Sequence, residues 1–314
     1  MGDYIALVLG ILSAAIGGEL FVRGTVGIAY WARISPGIVG ATVAAFATSS
    51  PELTVSVTAS FLGTPQIALG DALGSNVVNI ALILGITIAI TPLYCPRDFL
   101  KRDYSVALLV PGMTGLFMLD GELSRFDGLI MLAIFIAWLI AVIFEVRKQR
   151  NNNSGENTEK QRIWVSLLQS VVGLVFLITA GHLIVDGATG IMQTLGIDAF
   201  VIGATIVALG TSAPELATMI VAKLRHHDDV ALGTILGSNI FNGLLIVSLA
   251  AIISPITIVW SEIMAVLLLG ILSVVCIFPS ATGYIERRQG YLLLVLYLVY
   301  LVVLTIQPGN GHTG

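Results

Sequence analysis

Along this chain, long apolar runs alternate with short punctuation by charge, Pro or Gly. Ten runs read as membrane-crossing segments, near residues 4–30, 37–61, 66–90, 104–119, 127–146, 163–190, 200–222, 229–253, 260–278 and 291–306. About 20 apolar residues in helical form span the hydrocarbon layer of a bilayer. Backbone at that depth must satisfy its own hydrogen bonds, and these runs are too long and too evenly apolar for barrel strands. The pattern predicts an all-α integral membrane protein with ten transmembrane helices.

Composition agrees with the pattern. Of 314 residues, 56% are hydrophobic and only 11% charged, with a mean hydropathy of +0.96. A soluble domain carries about 25% charged residues, so this chain cannot clothe a water-facing surface. Loops this short exclude a large soluble catalytic domain. Cys95 and Cys276 stand far apart and read as ordinary apolar residues, not as a disulfide framework or metal cluster. No basic segment precedes the first apolar run at Tyr4, so no cleaved signal peptide is expected.

The net charge of −4 says less than where the charges fall. With the N-terminus outside, fourteen of the fifteen Lys and Arg residues, from Arg23 and Arg33 to Arg287 and Arg288, lie at cytoplasmic ends and loops, leaving Arg125 outside. One missed helix would scatter the later charges. The reading is a multi-pass protein of the cell membrane with N- and C-termini outside. The one polar stretch, 147–162, contains Asn151-Asn152-Asn153-Ser154-Gly155 and reads as a flexible cytoplasmic linker. It separates five helices in 1–146 from five in 163–314.

The halves repeat. An offset of 163 residues aligns Gly40-Ala41-Thr42 with Gly203-Ala204-Thr205 and Thr48 through Leu53 with Thr211 through Leu216. It also aligns Leu73-Gly74-Ser75-Asn76 with Leu236-Gly237-Ser238-Asn239, and Asn79 with Asn242. Across 40–79, 18 of 40 positions are identical without a gap. The repeated segments cover about 37–90 and 200–253. A unit with an odd number of spans must enter the membrane from opposite faces in its two copies, so the two five-helix repeats are inverted. Inverted repeats with Gly- or Pro-broken segments at matching positions point to a transporter's midplane binding site.

Inside the repeats, Glu52 and Glu215 fall in mid-span, where an ionised carboxylate costs on the order of 3 kcal/mol or more. No Lys or Arg lies at comparable depth in the four repeat spans, so the natural partner is a cation from solution. Pro51 and Pro214 remove a backbone donor and free a carbonyl near Ala47 and Gly210. Thr48, Ser49, Thr211 and Ser212 add hydroxyls on the same turn. On the following helix, Ser75, Asn76 and Asn79, with their counterparts Ser238, Asn239 and Asn242, supply neutral oxygens. In each set the Ser and the second Asn are four residues apart and share a face.

This donor set suits a hard cation. Ca²⁺ takes six to eight oxygens, whereas transition metals favour imidazole or thiolate. Two carboxylates also cancel the dication's charge, and Na⁺ competing for the same oxygens is expected. Carrying two bare carboxylates across the membrane would be costly, so only a loaded carrier should turn over. That predicts an exchanger, not a channel. H⁺ is the alternative counter-ion, by protonation of Glu52 and Glu215. Without a G-x-x-x-x-G-K-[ST] phosphate loop or an H-E-x-x-H pattern, no enzyme is expected.

These motifs resemble the α-repeats of the Ca²⁺/cation antiporter superfamily, most closely the prokaryotic sodium/calcium exchangers. The resemblance implies that Glu52 and Glu215 bind Ca²⁺ together with the backbone carbonyls of Thr48 and Thr211. It further implies Na⁺ sites using Ala45, Ser49 and Ser75 in one half and Ala208, Ser212 and Ser238 in the other, with Asn79 nearby. The first and sixth helices would slide over the other eight, on faces smoothed by Gly17-Gly18 and Gly181. Some relatives carry an acidic residue where this chain has Asn242, and potassium-dependent members favour aspartate there. The Asn weakens the case for K⁺ cotransport. The transported ions are the only expected ligands, with no organic cofactor and no nucleic acid. Membrane lipid surrounds the chain, and a monomer is sufficient because both half-sites lie in it.

Other residues read as structural. Glu19 and Arg23 form an i, i+4 pair on the first helix and map onto His182 and Asp186. His226-His227-Asp228-Asp229 is a solvated turn. Asp71, which the repeat replaces with Thr234, is a cap or vestibule residue. Trp31, Trp138, Trp164 and Trp260 read as interface anchors.

Overall fold

The structure, a computed structural model, describes residues 2–63, 65–96, 100–152, 163–194, 208–257 and 260–306. These form helices α1 (Gly2–Ala32), α2 (Pro36–Thr48), α3 (Ser50–Phe61), α4 (65–90), α5 (100–117), α6 (Arg125–Asn152), α7 (Ile163–Thr194), α8 (Ala208–Thr211), α9 (Ala213–Leu224), α10 (Asp228–Ile253), α11 (Trp260–Cys276) and α12 (Arg287–Ile306). Four two-residue strands join them: β1 (Leu93–Tyr94), β2 (Glu122–Leu123), β3 (Ile256–Thr257) and β4 (Tyr284–Ile285).

Among the described residues, five helical stretches are long and apolar enough to cross a membrane: Tyr4–Ala32, Ala68–Ile90, Arg125–Gln149, Ile163–Ala180 and Asp228–Ile253. Helices α2 and α3, bent by 46° where they meet, make a sixth as a broken span. The expected spans near 104–119, 260–278 and 291–306 are helical as α5, α11 and α12. The span expected near 200–222 falls partly on 195–207, and the linker's residues 153–162 also lie outside the described residues.

Burial separates the helices into two classes. The apolar windows of α4 and α10 are 78% and 83% buried, against 22–33% for those of α1, α6 and α7. Thus α4 and α10 form the centre, while the others turn large apolar side chains outward, such as Leu12, Ile16, Phe144, Leu168 and Val171. In water such a surface would drive aggregation; in lipid it is the ordinary solvent contact. Helix α10 packs on α2, α6 and α9, and α4 packs on α3, α11 and α12. Helices α1 and α7 pack most extensively on each other and also reach α9.

Two close approaches require glycine. A Cβ on Gly173 would lie 2.5 Å from the Phe21 backbone nitrogen, at the α1–α7 crossing. One on Gly237 would lie 2.4 Å from the Ala41 carbonyl oxygen, where α10 meets α2. Without a hydrophobic drive between helices in lipid, such backbone proximity is what holds them together.

The helix ends sort into two groups. At one, β1 pairs antiparallel with β4, Leu93 opposite Ile285. At the other, β2 pairs with β3, Leu123 opposite Ile256, and Gln66 Nε2 donates to the Thr257 carbonyl at 3.1 Å. Leu93 and Ile256 are themselves separated by the repeat offset, so the two small sheets correspond across the halves. Lys223 belongs to the β1 end, donating to Pro92 O at 2.7 Å and to the Asp228 carboxylate, which also accepts from Tyr94 N.

The Glu19–Arg23 pair forms as expected, and Glu19 also takes Arg225 from the end of α9. Trp31 and Trp164 are exposed, as interface anchors should be. Trp138 is not: it is 4% exposed and its indole Nε1 donates to Asp103 at 3.3 Å. Its ring instead packs on Phe135 and Phe241. The buried Asp103 carboxylate, raised by burial and lowered again by Arg102, needs donors, and Trp138 and Arg102 supply them. The side chain of Trp260 lies outside the described residues.

Candidate cation-binding site

The site forms where the broken helices meet the two central ones. In α2–α3 the helix interrupts at Ser49 (φ −84°, ψ 9°), and between α8 and α9 it interrupts at Ser212 (φ −85°, ψ 6°). The two serines are repeat counterparts with the same near-bridge backbone. The cause is local, because Pro51 and Pro214 give no N–H to continue the preceding turn. Each break sets a glutamate one turn into the next helix, and Glu52 and Glu215 are both 0% exposed.

The central helices widen at matching positions too. Residues Val78–Leu84 of α4 and Phe241–Ile246 of α10 are π-helical. Such turns recur at functional sites because they break the regular backbone ladder. Here each carries the second Asn of its set, Asn79 or Asn242, both 0% exposed.

Between α4 and α10 the first asparagines pair reciprocally. Asn76 Nδ2 donates to Asn239 O and Asn239 Nδ2 donates to Asn76 O, each at 3.1 Å. The partners are 163 residues apart, which is the repeat offset, so these bonds mark the meeting line of the halves.

The two carboxylates are in different states. Glu215 Oε1 accepts from Ser49 Oγ at 3.3 Å and Ser238 Oγ at 3.2 Å, and Asn79 Nδ2 donates to Asn239 Oδ1 at 3.1 Å. The corresponding set is Glu52, Ser212, Ser75, Asn242 and Asn76. There both oxygens of Glu52, the Ser75 and Ser212 hydroxyls, Asn76 Oδ1 and the whole Asn242 amide are buried without a hydrogen-bond partner. Glu215 Oε2 and Asn79 Oδ1 are likewise unpaired. Buried acceptors left unmade cost roughly 1–3 kcal/mol each, and more when charged. None of the ion pairs found among the described residues reaches Glu52 or Glu215. The cluster is thus rich in unpaired oxygens.

Of the other residues expected at the site, Thr48 is buried, its Oγ1 donating to Ala44 O at 3.1 Å and lying 3.5 Å from Ser238 Oγ. Thr211 is half-buried at the end of α8 and has a partner of its own. Ala45 is buried, and its carbonyl accepts Ser49 N at 2.9 Å and Thr48 Oγ1 at 3.3 Å. Ala208 begins α8, and its side-chain surroundings lie outside the described residues, as do Gly203, Ala204 and Thr205. Sequence reasoning did not foresee the π-helical turns. It also missed the Asn76–Asn239 exchange, which the repeat offset alone pointed to.

Two buried carboxylates among hydroxyl and amide oxygens, set on broken helices in a bundle that turns apolar side chains outward, make a candidate ion site in a membrane protein. Comparison with known proteins gives the family. The model of the sodium/calcium exchanger protein family matches residues 3–144 and 165–306. CaxA of Alkalimonas amylolytica is 36% identical over 80% of this chain and 79% of its own length. The sodium/calcium exchanger MaX1 of Methanosarcina acetivorans is 27% identical over 96% of this chain and 98% of its own. The structure of the sodium-calcium exchanger NCX_Mj, soaked with Na⁺ and Sr²⁺, superposes with a TM-score of 0.80 at 30% identity, covering 96% of this chain and 99% of that one. The chain belongs to the sodium/calcium exchanger protein family, as a prokaryotic-type membrane antiporter.

Proposed function

We propose that this protein exchanges Na⁺ for Ca²⁺ by alternating access around a midplane site in which Glu52 and Glu215 share the transported ion. The observation that carries the reading is the pair of fully buried carboxylates among unpaired hydroxyl and amide oxygens. Ca²⁺ sits between them with its charge cancelled, and freed carbonyls of the broken helices complete its oxygen shell. Na⁺ ions compete using Ser49, Ser75, Ser212 and Ser238, with the carbonyls of Ala45 and Ala208 and the amides of Asn79 and Asn242 beside them. Emptying the site leaves two like charges in low dielectric, so the empty carrier does not cross and flux is coupled. Sr²⁺ and Na⁺ applied to NCX_Mj are ions of the same chemistry.

The reading includes ten transmembrane helices arranged as inverted repeats, 1–146 and 163–314, with a cytoplasmic linker at 147–162 and both termini outside. Supporting it, one family model matches two separate segments of the chain, the Asn76–Asn239 bonds join positions one repeat apart, and Lys223, Arg225 and Arg102 gather away from the Arg125 end. Helices α1 and α7 move together as the sliding pair.

The test is uptake of radiolabelled Ca²⁺ into proteoliposomes loaded with Na⁺ or K⁺, or holding a pH gradient. Uptake requiring internal Na⁺, and absent in both Glu52→Gln and Glu215→Gln, is the expected result. Uptake driven by the pH gradient alone assigns H⁺ as counter-ion, and no uptake under any gradient overturns the reading.

A further inference from the structure

The paired glutamates do not account for one further carboxylate in the central bundle. Asp71 lies on α4 four residues before Ser75 and eight before Asn79, so all three share one face of the helix, at about 6 Å of rise per step. Its Oδ2 is buried without a hydrogen-bond partner, as are Ser75 Oγ, Asn76 Oδ1 and Asn79 Oδ1 further along the same helix. None of the ion pairs found among the described residues includes Asp71. Glu52 lies within coulombic reach of both Glu215 and Asp71, yet no three acidic, His or Cys groups gather closely enough among the described residues to form one cluster. Asp71 therefore stands apart from a tight cluster with the pair, on the helix face that carries Ser75 and Asn79.

The other half has nothing equivalent. Thr234, the repeat counterpart, is fully buried and its hydroxyl is spent on its own helix, donating to Val230 O at 2.9 Å. Asp71 itself is half-buried. It also adjoins the half-site whose oxygens are all unpaired, that of Glu52, Ser75 and Ser212, and not the half closed around Glu215.

We infer that Asp71, with Ser75, forms a staging position for a hard cation, Ca²⁺ or Na⁺, one helical turn before Ser75 toward the Pro65 end of α4. An ion held there is partly desolvated by one carboxylate before it is passed to two. The neutral Thr234 at the matching place makes this assistance one-sided. The inference rests on the exchanger reading and adds a third cation-binding carboxylate, reached from one face of the membrane only.

The test compares wild type with Asp71→Asn and Asp71→Thr, the second being the repeat's own solution at this position. Oriented proteoliposomes are supplied with Ca²⁺ from the Pro65 side of α4 or from the opposite side. Expected is a KM for Ca²⁺ raised about 10-fold from the Pro65 side, unchanged from the other, with the maximal rate kept within about twofold. Loss of one charge-assisted contact corresponds to this fold-change. Equal KM values on both sides in variant and wild type, or an equal rise on both sides, overturn the inference. Failure of wild type itself to move Ca²⁺ under a Na⁺ gradient strikes the exchanger reading instead, so the two failures are distinct. Thermal melting of the variants identifies any that fail to fold, and Asp71→Glu, which keeps the charge, is expected to restore the sided KM.

Discussion

At the scale of single residues, the account turns on which oxygens have partners. Ser238 and Ser49 hydroxyls donate to Glu215, while their counterparts Ser75 and Ser212, like both oxygens of Glu52, are buried without a hydrogen-bond partner. Removing a hydroxyl that positions a charged ligand costs roughly 1.5–3 kcal/mol. Ser238→Ala is expected to weaken Ca²⁺ binding by about tenfold or more, read by titration calorimetry, with melting temperature nearly unchanged. Away from the site, Arg102 binds both Asp103 at 2.6 Å and Glu145 at 2.7 Å. Deleting one partner of a buried pair costs roughly 3–5 kcal/mol, so Arg102→Ala should lower the melting temperature sharply, whereas Arg125→Ala should not. The glutamates, serines and asparagines that gather at the candidate site were legible in the sequence because the repeat showed them twice. Trp138 was not: an aromatic near a span end reads as an anchor, and only packing reveals the buried Asp103 beneath it.

At the scale of elements, the repeat is expressed as matching defects in helices. Pro51 and Pro214 foretold the breaks, and the structure puts a serine of nearly identical backbone at each. The π-helical turns at Val78–Leu84 and Phe241–Ile246 left no trace in the sequence, since apolar periodicity does not separate one wide turn from a regular one. Close approach is equally specific. Gly237→Ala would drive a methyl group against the Ala41 carbonyl, and overpacking of this kind costs typically 1–3 kcal/mol. The expected outcome is a lowered melting temperature and weaker Ca²⁺ binding together, because α2 carries the break that sets Glu52. Gly70 on α4, with open space around it, should accept Ala without either change.

At the scale of the whole molecule, burial divides a buried centre from an apolar, outward-facing periphery, with α1 and α7 packed on each other and tied to α9. Glu19 on α1 is shared between Arg23 of its own helix and Arg225 of α9. If α1 slides against α9 during turnover, that link must break and re-form, and Glu19→Gln should change the rate of exchange while leaving equilibrium Ca²⁺ affinity within about twofold. The all-helical, multi-pass membrane character was legible from hydropathy. The asymmetry between the Glu52 and Glu215 half-sites was not, because the motif residues are the same in both repeats and do not announce which set is hydrogen-bonded.

Equilibrium Ca²⁺ binding to the purified protein asks whether Glu52 and Glu215 hold one ion between them, as proposed. Binding should be displaced by Na⁺ and lost in Glu52→Gln and in Glu215→Gln alike, since neither carboxylate suffices alone. Retention of full or half binding in either single variant, or indifference to Na⁺, would contradict a shared site.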